Sequence, residues 1–483
     1  MPAAIGAREH AAERPVAVVA GGQGGRPDRH RGDAGADNDA AGSAVHVNSS
    51  GGGRATEYRS AAVDRCTLPP VVSLIGRARG LDRSALKYAA VVLVATRLAI
   101  WVLALFTEAT TGPSVRPNAP QISAPSPSAG LGEPWNSVFG VWGHWDGYWF
   151  VGIAEGGYGF RDGAAAFFPL YPMAMRVVAP LVGSALVAGV VISLLSSFSA
   201  FYLLHRLARH ECGATIAPRA VLYLAISPMA VFLAAAYSEA LFLALSLACL
   251  WAARRGRFLE AAVWAALASA TRVSGVLLVI ALAVFWADAH GGWRSLLRPA
   301  ATRLLLAPSG LLGYMGYLWA RFGDPFAFRG SQAIWHRRLV TPVQGIWDGA
   351  SAAVAGVRQV AAGGDTPVYW PRSLRPPINT AALNIEMFVA LVLLIAGLVL
   401  VARRLPRGYA WYASAALALP LASPARDLPL LSLPRFGLVL FPVFLALASW
   451  AITKPTRHTA IVVAFALTLG LFTAQWANWQ WVS

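Results

Sequence analysis

Long apolar runs separated by short basic segments are the feature that most constrains the fold of this chain. Of its 483 residues, 57% are hydrophobic and only 13% are charged. Soluble domains carry about 25% charged residues, and a run of roughly 20 apolar residues spans a bilayer as a helix. The pattern therefore predicts an all-α integral membrane protein.

The apolar runs predict eleven spanning helices. They lie at about 87–107, 183–204, 216–236, 239–253, 258–271, 274–288, 304–320, 381–402, 408–423, 436–453 and 459–476. Arg and Lys cluster at every second end of these runs, and the positive-inside rule assigns such ends to the cytoplasm. Two short helices fit this rule over 258–288, because a single span there would turn the later basic clusters outward. Two long segments, 108–182 and 322–380, are then predicted on the outer side, with short amphipathic helices in them.

The first 80 residues are predicted to form a disordered cytoplasmic tail, because residues 1–64 are rich in Gly, Ala, Arg and Asp and poor in large apolar side chains. The tail lacks the continuous apolar segment of a secretory signal, and whether residues 1–64 belong to the mature protein stays open. Residues 81–483 are expected to form one transmembrane domain. The net charge of +17 does not indicate a nucleic-acid partner, because the Arg residues lie mainly in short loops between apolar runs and in this tail.

Residues 143–172 form a polar, aromatic and Gly-interrupted stretch in the first outer segment, with Asp146 near its start. A carboxylate beside a bilayer is costly unless it has a role. Asp146 could take a proton from an acceptor hydroxyl in a glycosyl transfer, or it could be the N-cap of a helix. Glu155 and Asp162 are alternatives in the same stretch, and Asp162 lies closer to the next apolar run.

Further polar residues lie at predicted outer helix ends. Glu239, which follows Tyr237, could meet a substrate hydroxyl or form a structural pair with Arg272. Arg272 and Arg435 suit a lipid phosphate, because Arg binds phosphate bidentately and keeps its charge in a low dielectric. The alternative for both is snorkelling to headgroups.

The second outer segment contains Asp324, Gln332 and Trp335. Asp324 could line a site or cap a following helix, and Trp335 could stack on a sugar or lie at the membrane interface. Arg97, within the first apolar run, is expected to pair with a neighbouring helix. The C-terminal tryptophans are expected to be interfacial anchors: Trp476, Trp479 and Trp481.

The polar motifs of the chain, taken in the order in which they occur, resemble those of the PIG-V family of GPI mannosyltransferase 2-like proteins. The motifs are His144-Trp145-Asp146-Gly147, the Phe167-Phe168-Pro169 stretch, Tyr237-Ser238-Glu239, Thr271-Arg272, Gly323-Asp324-Pro325 with Gln332 and Trp335, and Pro434-Arg435-Phe436. Each motif alone is weak, but the ordered set over residues 85–455 is specific. The chain departs from the family where Phe436 replaces the usual Tyr and where Val273-Ser274 replaces Ser-Asn.

The resemblance implies a GT-C-type glycosyltransferase that takes mannose from a polyprenyl- or dolichyl-phosphate-mannose donor, with inversion, on the non-cytoplasmic face. It implies Asp146 as general base, with Asp162 as a second catalytic candidate. The implied donor and substrate site comprises Trp145, Tyr237, Glu239, Arg272, Asp324, Gln332, Trp335 and Arg435. No metal ligand or cofactor is expected, since Arg side chains can neutralise a lipid monophosphate, and metal dependence stays open.

The Ala-, Arg- and Gly-rich composition indicates a high-GC bacterium. A polyprenyl-phosphate-mannose donor and a cell-envelope glycolipid, glycan or protein acceptor at the plasma membrane are then expected. Two alternatives remain: a GT-C transferase for another polyprenyl-linked sugar, such as arabinose or glucose, and a lipid-linked sugar flippase. The absence of Walker and dinucleotide-binding motifs disfavours an ATP-driven pump.

Overall fold

The computed structural model describes residues 82–111, 130–363, 369–370 and 376–482. In these ranges the secondary structure is helical, and the one pairing of extended backbone is an isolated bridge between Arg337 and Ala425. The predicted all-α class is confirmed. The predicted disordered tail, residues 1–80, lies outside the described residues.

The described residues form the following helices in chain order. They are α1 (Arg83–Thr111), α2 (Trp135–Gly140), α3 (Asp146–Gly156), α4 (Leu170–Val182), α5 (Ala185–Cys212), α6 (Ala217–Ala225), α7 (Glu239–Arg254), α8 (Phe258–Thr271), α9 (Leu278–Ala289), α10 (Ser309–Phe322), α11 (Ala327–Gly330), α12 (Pro342–Ala361), α13 (Pro377–Arg404), α14 (Arg407–Leu421), α15 (Leu433–Leu438), α16 (Phe441–Ala451) and α17 (Pro455–Ala477). Short 3₁₀ turns connect them at Val141–Gly143, Gly157–Gly159, Ala164–Ala166, Ala230–Leu233, Val273–Leu277, Trp293–Leu297, Pro299–Leu306 and Ser331–Trp335.

Among the described helices, four are long and apolar enough to cross a membrane: α1, α5, α13 and α17. α4, α8, α16 and the segment Val273–Ala289 are shorter apolar helices. α1 exposes an apolar stripe that includes Val94, Leu98 and Phe106, as a helix that faces lipid does. α5 is the most buried of the four and lies inside the bundle. The protein is therefore a membrane protein, and the total of eleven spans stays a prediction.

Most predicted spans coincide with helices, but the run at 216–236 does not form one helix. α6 ends at Ala225, before Ser227-Pro228, and only a short 3₁₀ turn follows. Arg97 of α1 reaches into this break and donates from Nη2 to the Ala225 carbonyl and from Nη1 to the Ala230 carbonyl, both at 2.6 Å. The expectation that Arg97 pairs with a neighbouring segment is confirmed. The guanidinium thus donates the hydrogen bonds that these two carbonyls would accept from backbone N–H groups in an unbroken helix.

The second long segment also differs from expectation. It contains α12, which at 20 residues is longer than the short helices predicted there. α12 packs against α14 at Gly345, where a Cβ atom would collide with the Leu421 carbonyl, and against α13 at Gly356, where a Cβ atom would collide with the Ala381 carbonyl. Its other face exposes Val343 and Trp347. This segment is therefore a packed part of the bundle rather than an open loop.

Replacing Arg97 by Met should lower the free energy of unfolding by about 2 kcal/mol, because it removes two charge-assisted hydrogen bonds to carbonyls in the bundle. Thermal unfolding of the detergent-solubilised protein, followed by tryptophan fluorescence, measures the change. Thr107→Val is the matched control on the same helix, since Thr107 bonds only to the Leu103 carbonyl of its own helix. Equal thermal unfolding midpoints for the two variants would contradict this role of Arg97.

Candidate active site

A cavity of about 780 Å³ lies where α7 begins and α8 ends. Eight of the ten residues predicted to form the site line this cavity: Asp146, Tyr237, Glu239, Arg272, Asp324, Gln332, Trp335 and Arg435. Because α7 runs from Glu239 to Arg254, the basic clusters at the ends of α5 and α7 lie at the opposite end of the bundle.

A chain of alternating charges lies in the cavity wall. Arg435 Nη1 lies 2.6 Å from Asp146 Oδ2, and Arg435 Nε lies 3.2 Å from Glu239 Oε1. Arg272 Nη1 lies 2.6 Å from the same Glu239 oxygen. The Glu239 side chain is 1% exposed and the other three are 12 to 17% exposed. Four segments that are distant in sequence therefore meet through two carboxylates and two guanidinium groups.

Asp146 does not cap the helix that it begins. The N-cap of α3 is Trp145, no side chain accepts a capping bond there, and the Asp146 carboxylate binds Arg435 instead. The capping interpretation of this residue is wrong. The carboxylate is held at the cavity wall by an ion pair.

Glu239 forms the structural pair with Arg272 that the sequence allowed, and it holds Arg435 as well. Arg272 also donates to Ser238 Oγ at 3.3 Å. Since Glu239 Oε1 serves both guanidinium groups, Glu239 fixes their separation. A direct contact of Glu239 with a ligand is not needed to explain its burial.

Phe436 lies among three guanidinium groups. The Cζ atoms of Arg272, Arg435 and Arg337 lie 5.3, 5.5 and 6.0 Å from the centre of its ring. An aromatic face attracts cations at such distances. The ring therefore helps to hold three like charges near one another in the cavity wall.

Arg337 is a cavity residue that the sequence interpretation did not single out. It donates from Nη1 to the Ser423 carbonyl at 2.8 Å and from Nη2 to the Leu431 carbonyl at 2.9 Å. Burial lowers the pKa of this guanidinium to about 10, and the nearby charge of Arg435 lowers it as well, while Asp146 opposes the change. Arg337 therefore keeps its charge at neutral pH.

Positive charge exceeds negative charge along the cavity wall. Five arginines and three carboxylates line it: Arg272, Arg329, Arg337, Arg338, Arg435, Asp146, Glu239 and Asp324. A wall of this kind favours an anionic ligand, most of all a phosphate, whose oxygens match the guanidinium geometry. Among the described residues, no group of three or more His, Cys, Asp or Glu is placed to hold a metal ion.

The rim of the cavity comes from the second long segment. Asp324 is exposed, and its Oδ1 accepts a hydrogen bond from the Phe326 backbone N–H at 2.8 Å. Asp324 therefore both stabilises the local turn and lines the cavity. Gln332 and Trp335 lie on the short 3₁₀ turn that follows. The Trp335 ring packs 5.8 Å from the ring of Phe167.

Asp162 and Trp145 are the two predicted site residues that do not line the cavity. Asp162 is exposed in a turn between two 3₁₀ segments. Trp145 is half-buried, and its ring packs 5.0 Å from Trp481 and 5.7 Å from Trp479. Asp162 is thus apart from the charge chain, whereas Trp145 contacts the C-terminal segment.

The C-terminal tryptophans are part of the site's support, and the interpretation of Trp476 as an interfacial anchor is wrong. Trp476 is fully buried and donates from Nε1 to the Val141 carbonyl at 2.7 Å. His144 Nδ1 lies 3.1 Å from the Trp476 carbonyl, and the Trp479 ring stacks on His144 at 3.6 Å. Trp481 lines the cavity. Sequence spacing could not reveal these contacts, because more than 330 residues separate the two segments.

Comparison with known proteins confirms the resemblance stated from the sequence. The family model described as Mannosyltransferase (PIG-V) matches residues 84–307. This range contains Asp146, Glu239 and Arg272, whereas Arg337 and Arg435 lie beyond it.

Curated relatives agree with the family match. GPI alpha-1,6-mannosyltransferase 2 of Homo sapiens is 34% identical over 165 residues, which cover 32% of this chain and 33% of the human protein. The Rattus norvegicus protein of the same name is 34% identical over 169 residues, with the same coverage. The chain therefore matches about a third of the length of these relatives.

A solved structure, that of ArnT from Cupriavidus metallidurans bound to undecaprenyl phosphate, is similar over 79% of this chain and 78% of that chain. The sequence identity is 16% and the TM-score is 0.35.

Replacing Glu239 by Gln should lower the free energy of unfolding by about 3–5 kcal/mol, because two buried guanidinium groups lose their shared counter-charge. Thermal unfolding in detergent measures the loss. Asp348→Asn is the matched control, since it breaks a pair with Arg338, whose side chain is 61% exposed, and should change stability by less than about 1 kcal/mol. A Glu239→Gln variant as stable as this control would show that the charge chain does not hold the site together.

Proposed function

We propose that this chain is a membrane mannosyltransferase of the GT-C type, because residues 84–307 match the family model described as Mannosyltransferase (PIG-V). It transfers mannose from a polyprenyl-phosphate-mannose donor to a cell-envelope glycolipid, glycan or protein. The single observation that carries this proposal is the Asp146 carboxylate, paired with Arg435 in a cavity wall with excess positive charge.

Asp146 acts as the general base. Its Oδ2 accepts a hydrogen bond from Arg435 Nη1, so we assign Oδ1 as the oxygen that takes the proton of the acceptor hydroxyl. The hydroxyl oxygen bonds to the anomeric carbon as the bond from that carbon to the phosphate oxygen breaks, and the attack from the opposite face inverts the configuration. Asp162 is not assigned a step, because it does not line the cavity.

Arg272, Arg435 and Arg337 stabilise the leaving phosphate. Each guanidinium has five N–H donors, so its bonds to carboxylates or carbonyls leave others for phosphate oxygens. Arg337 suits this task because its Nη1 and Nη2 donate to two uncharged carbonyls. Excess positive charge in the cavity wall offsets the negative charge that develops on the phosphate as the bond breaks.

The membrane side on which we propose that the cavity opens follows from the positions of the basic clusters. The basic clusters lie at the bundle end opposite the cavity, and such clusters mark the cytoplasmic side. The cavity then opens on the extracytoplasmic face of the plasma membrane, where lipid-linked sugars and envelope acceptors meet.

Asp146→Asn should reduce transfer by about 10²- to 10⁴-fold, because Asn cannot take the acceptor proton. The assay supplies radiolabelled polyprenyl-phosphate-mannose to the purified protein and, as acceptor source, membranes from a strain that lacks it. Asp162→Asn is the matched control and should retain transfer. Full activity of Asp146→Asn would overturn the assignment of the base.

The same assay with polyprenyl-phosphate-linked glucose and arabinose separates the sugar alternatives. Transfer of one of these in place of mannose would overturn the mannose assignment and keep the reaction type. Movement of a labelled lipid-linked sugar across reconstituted vesicles, without transfer, would indicate a flippase.

Transfer by the wild-type protein should continue at an unchanged rate in EDTA, because cavity arginines are expected to neutralise the leaving phosphate. The rate is measured before chelation, after chelation and after adding back single divalent ions. Activity that disappears in EDTA and returns with one ion would contradict this prediction and would assign the charge stabilisation to a metal.

A further inference from the structure

The backbone at Trp145 has a conformation that a tryptophan rarely adopts. Trp145 has φ 55° and ψ −113°. The Gly147 backbone N–H donates to the His144 carbonyl at 3.1 Å, so residues 144–147 form a hydrogen-bonded turn with Trp145 at its first central position. A positive φ at that position is typical of type II′ turns, where Gly is preferred because it has no Cβ. The turn that presents Asp146 is therefore strained and needs outside support.

The hydroxyl of Tyr237 supplies this support at the two peptide groups that flank Trp145. It donates to the His144 carbonyl at 3.1 Å and accepts a hydrogen bond from the Asp146 backbone N–H at 2.9 Å. Tyr237 is only 1% exposed, so solvent does not compete for these bonds. One buried hydroxyl thus fixes the carbonyl before and the N–H after the strained residue.

The ring of Tyr237 contacts the other half of the same ion pair. The Arg435 Cζ atom lies 5.5 Å from the ring centre, and Tyr237 is two residues before Glu239, which binds Arg435. The backbone of Asp146 and the side chain of its partner therefore rest on one rigid aromatic residue.

We propose that Tyr237 is a positioning residue, whose hydroxyl holds the His144–Gly147 turn so that the Asp146 carboxylate faces the acceptor hydroxyl. The inference rests on the proposed function, in which Asp146 is the base. Loss of the hydroxyl lets Trp145 relax toward a negative φ, which rotates the peptide that precedes Asp146. A base displaced by about 1 Å can lose about 10²-fold in rate. Tyr237 itself does not exchange a proton with substrate.

Tyr237→Phe keeps the ring and its contact with Arg435 and removes both hydrogen bonds to the turn. We expect kcat to fall about 10- to 100-fold, with KM for polyprenyl-phosphate-mannose within about threefold of wild type. Tyr171→Phe is the matched control. Tyr171 is equally buried, and its hydroxyl donates to the Gly189 carbonyl at 2.8 Å and lies 2.9 Å from Ser193 Oγ. Ser193 Oγ in turn donates to the Tyr237 backbone carbonyl at 3.2 Å, so this control perturbs the backbone beside Tyr237 and keeps the Tyr237 hydroxyl and its two bonds to the turn. This control should lose stability to a similar extent and keep kcat.

A second variant tests the physical cause. Glycine adopts φ 55° without steric strain, so the turn in Trp145→Gly needs less support. The fold-loss in kcat caused by Tyr237→Phe should therefore be smaller in the Trp145→Gly background than in wild type. If Tyr237→Phe alone unfolds too readily for kinetics, its loss in thermal midpoint should likewise be smaller in that background.

The outcomes separate this inference from the proposed function. If Asp146→Asn is inactive while Tyr237→Phe keeps kcat as Tyr171→Phe does, the base stands and the positioning role is overturned. An equal effect of Tyr237→Phe in both backgrounds also overturns it, because strain at Trp145 would then have no part. Full activity of Asp146→Asn overturns the proposed base, whatever Tyr237→Phe does.

Discussion

The buried carboxylate of Glu239 is the constraint on which the arrangement of the site depends. Only 1% of its side chain is exposed, so a buried carboxylate here needs cationic partners, and Arg272 and Arg435 both approach its Oε1. Arg435 in turn fixes Asp146. These ion pairs thus join four elements: the start of α7, the end of α8, the short helix α15 and the start of α3. Each of the four side chains therefore has an opposite charge beside it in the cavity wall.

The backbone around this cluster is irregular for the same reason. α6 ends early, which frees the segment that carries Tyr237 to pass beneath the turn at Asp146, and Arg97 binds the carbonyls exposed by the break. Irregular backbone inside a membrane bundle is stable only where such donors are supplied. At the turn itself, Tyr237 and the C-terminal tryptophans supply the support. Their contacts offset a backbone strain of about 1–3 kcal/mol at Trp145.

Local sequence patterns predicted most of the helices, because the length of an apolar run is a local property. The runs at 258–271 and 239–253 agree with α8 and α7 to within one residue. The break in the run at 216–236 was not predicted, since the donors that stabilise it belong to Arg97 on another helix. The polar motifs predicted eight of the residues that line the cavity.

What the sequence did not reveal at the site is a matter of tertiary proximity. Arg337 resembles an ordinary loop cation in the sequence, and only the fold places it beside Arg435 and Phe436. The C-terminal tryptophans resemble a membrane belt, because aromatic spacing does not show which segment they contact. Asp146 fits a helix-start pattern equally well as a cap or as a cavity carboxylate. The position of Arg435 decides between the two.

The ion pair between Asp146 and Arg435 also suits the movement of charge in the proposed reaction. Before transfer, Arg435 Nη1 lies 2.6 Å from a carboxylate and shares its charge with it. When Asp146 takes the acceptor proton, that negative charge disappears from the aspartate. In the same step the bond to the anomeric carbon breaks, and the lipid phosphate gains one negative charge. Arg435 loses the anionic aspartate as its partner while negative charge develops on the phosphate. Its attraction for the phosphate is therefore strongest as the bond to the anomeric carbon breaks. This is stabilisation of the transition state rather than of the bound donor.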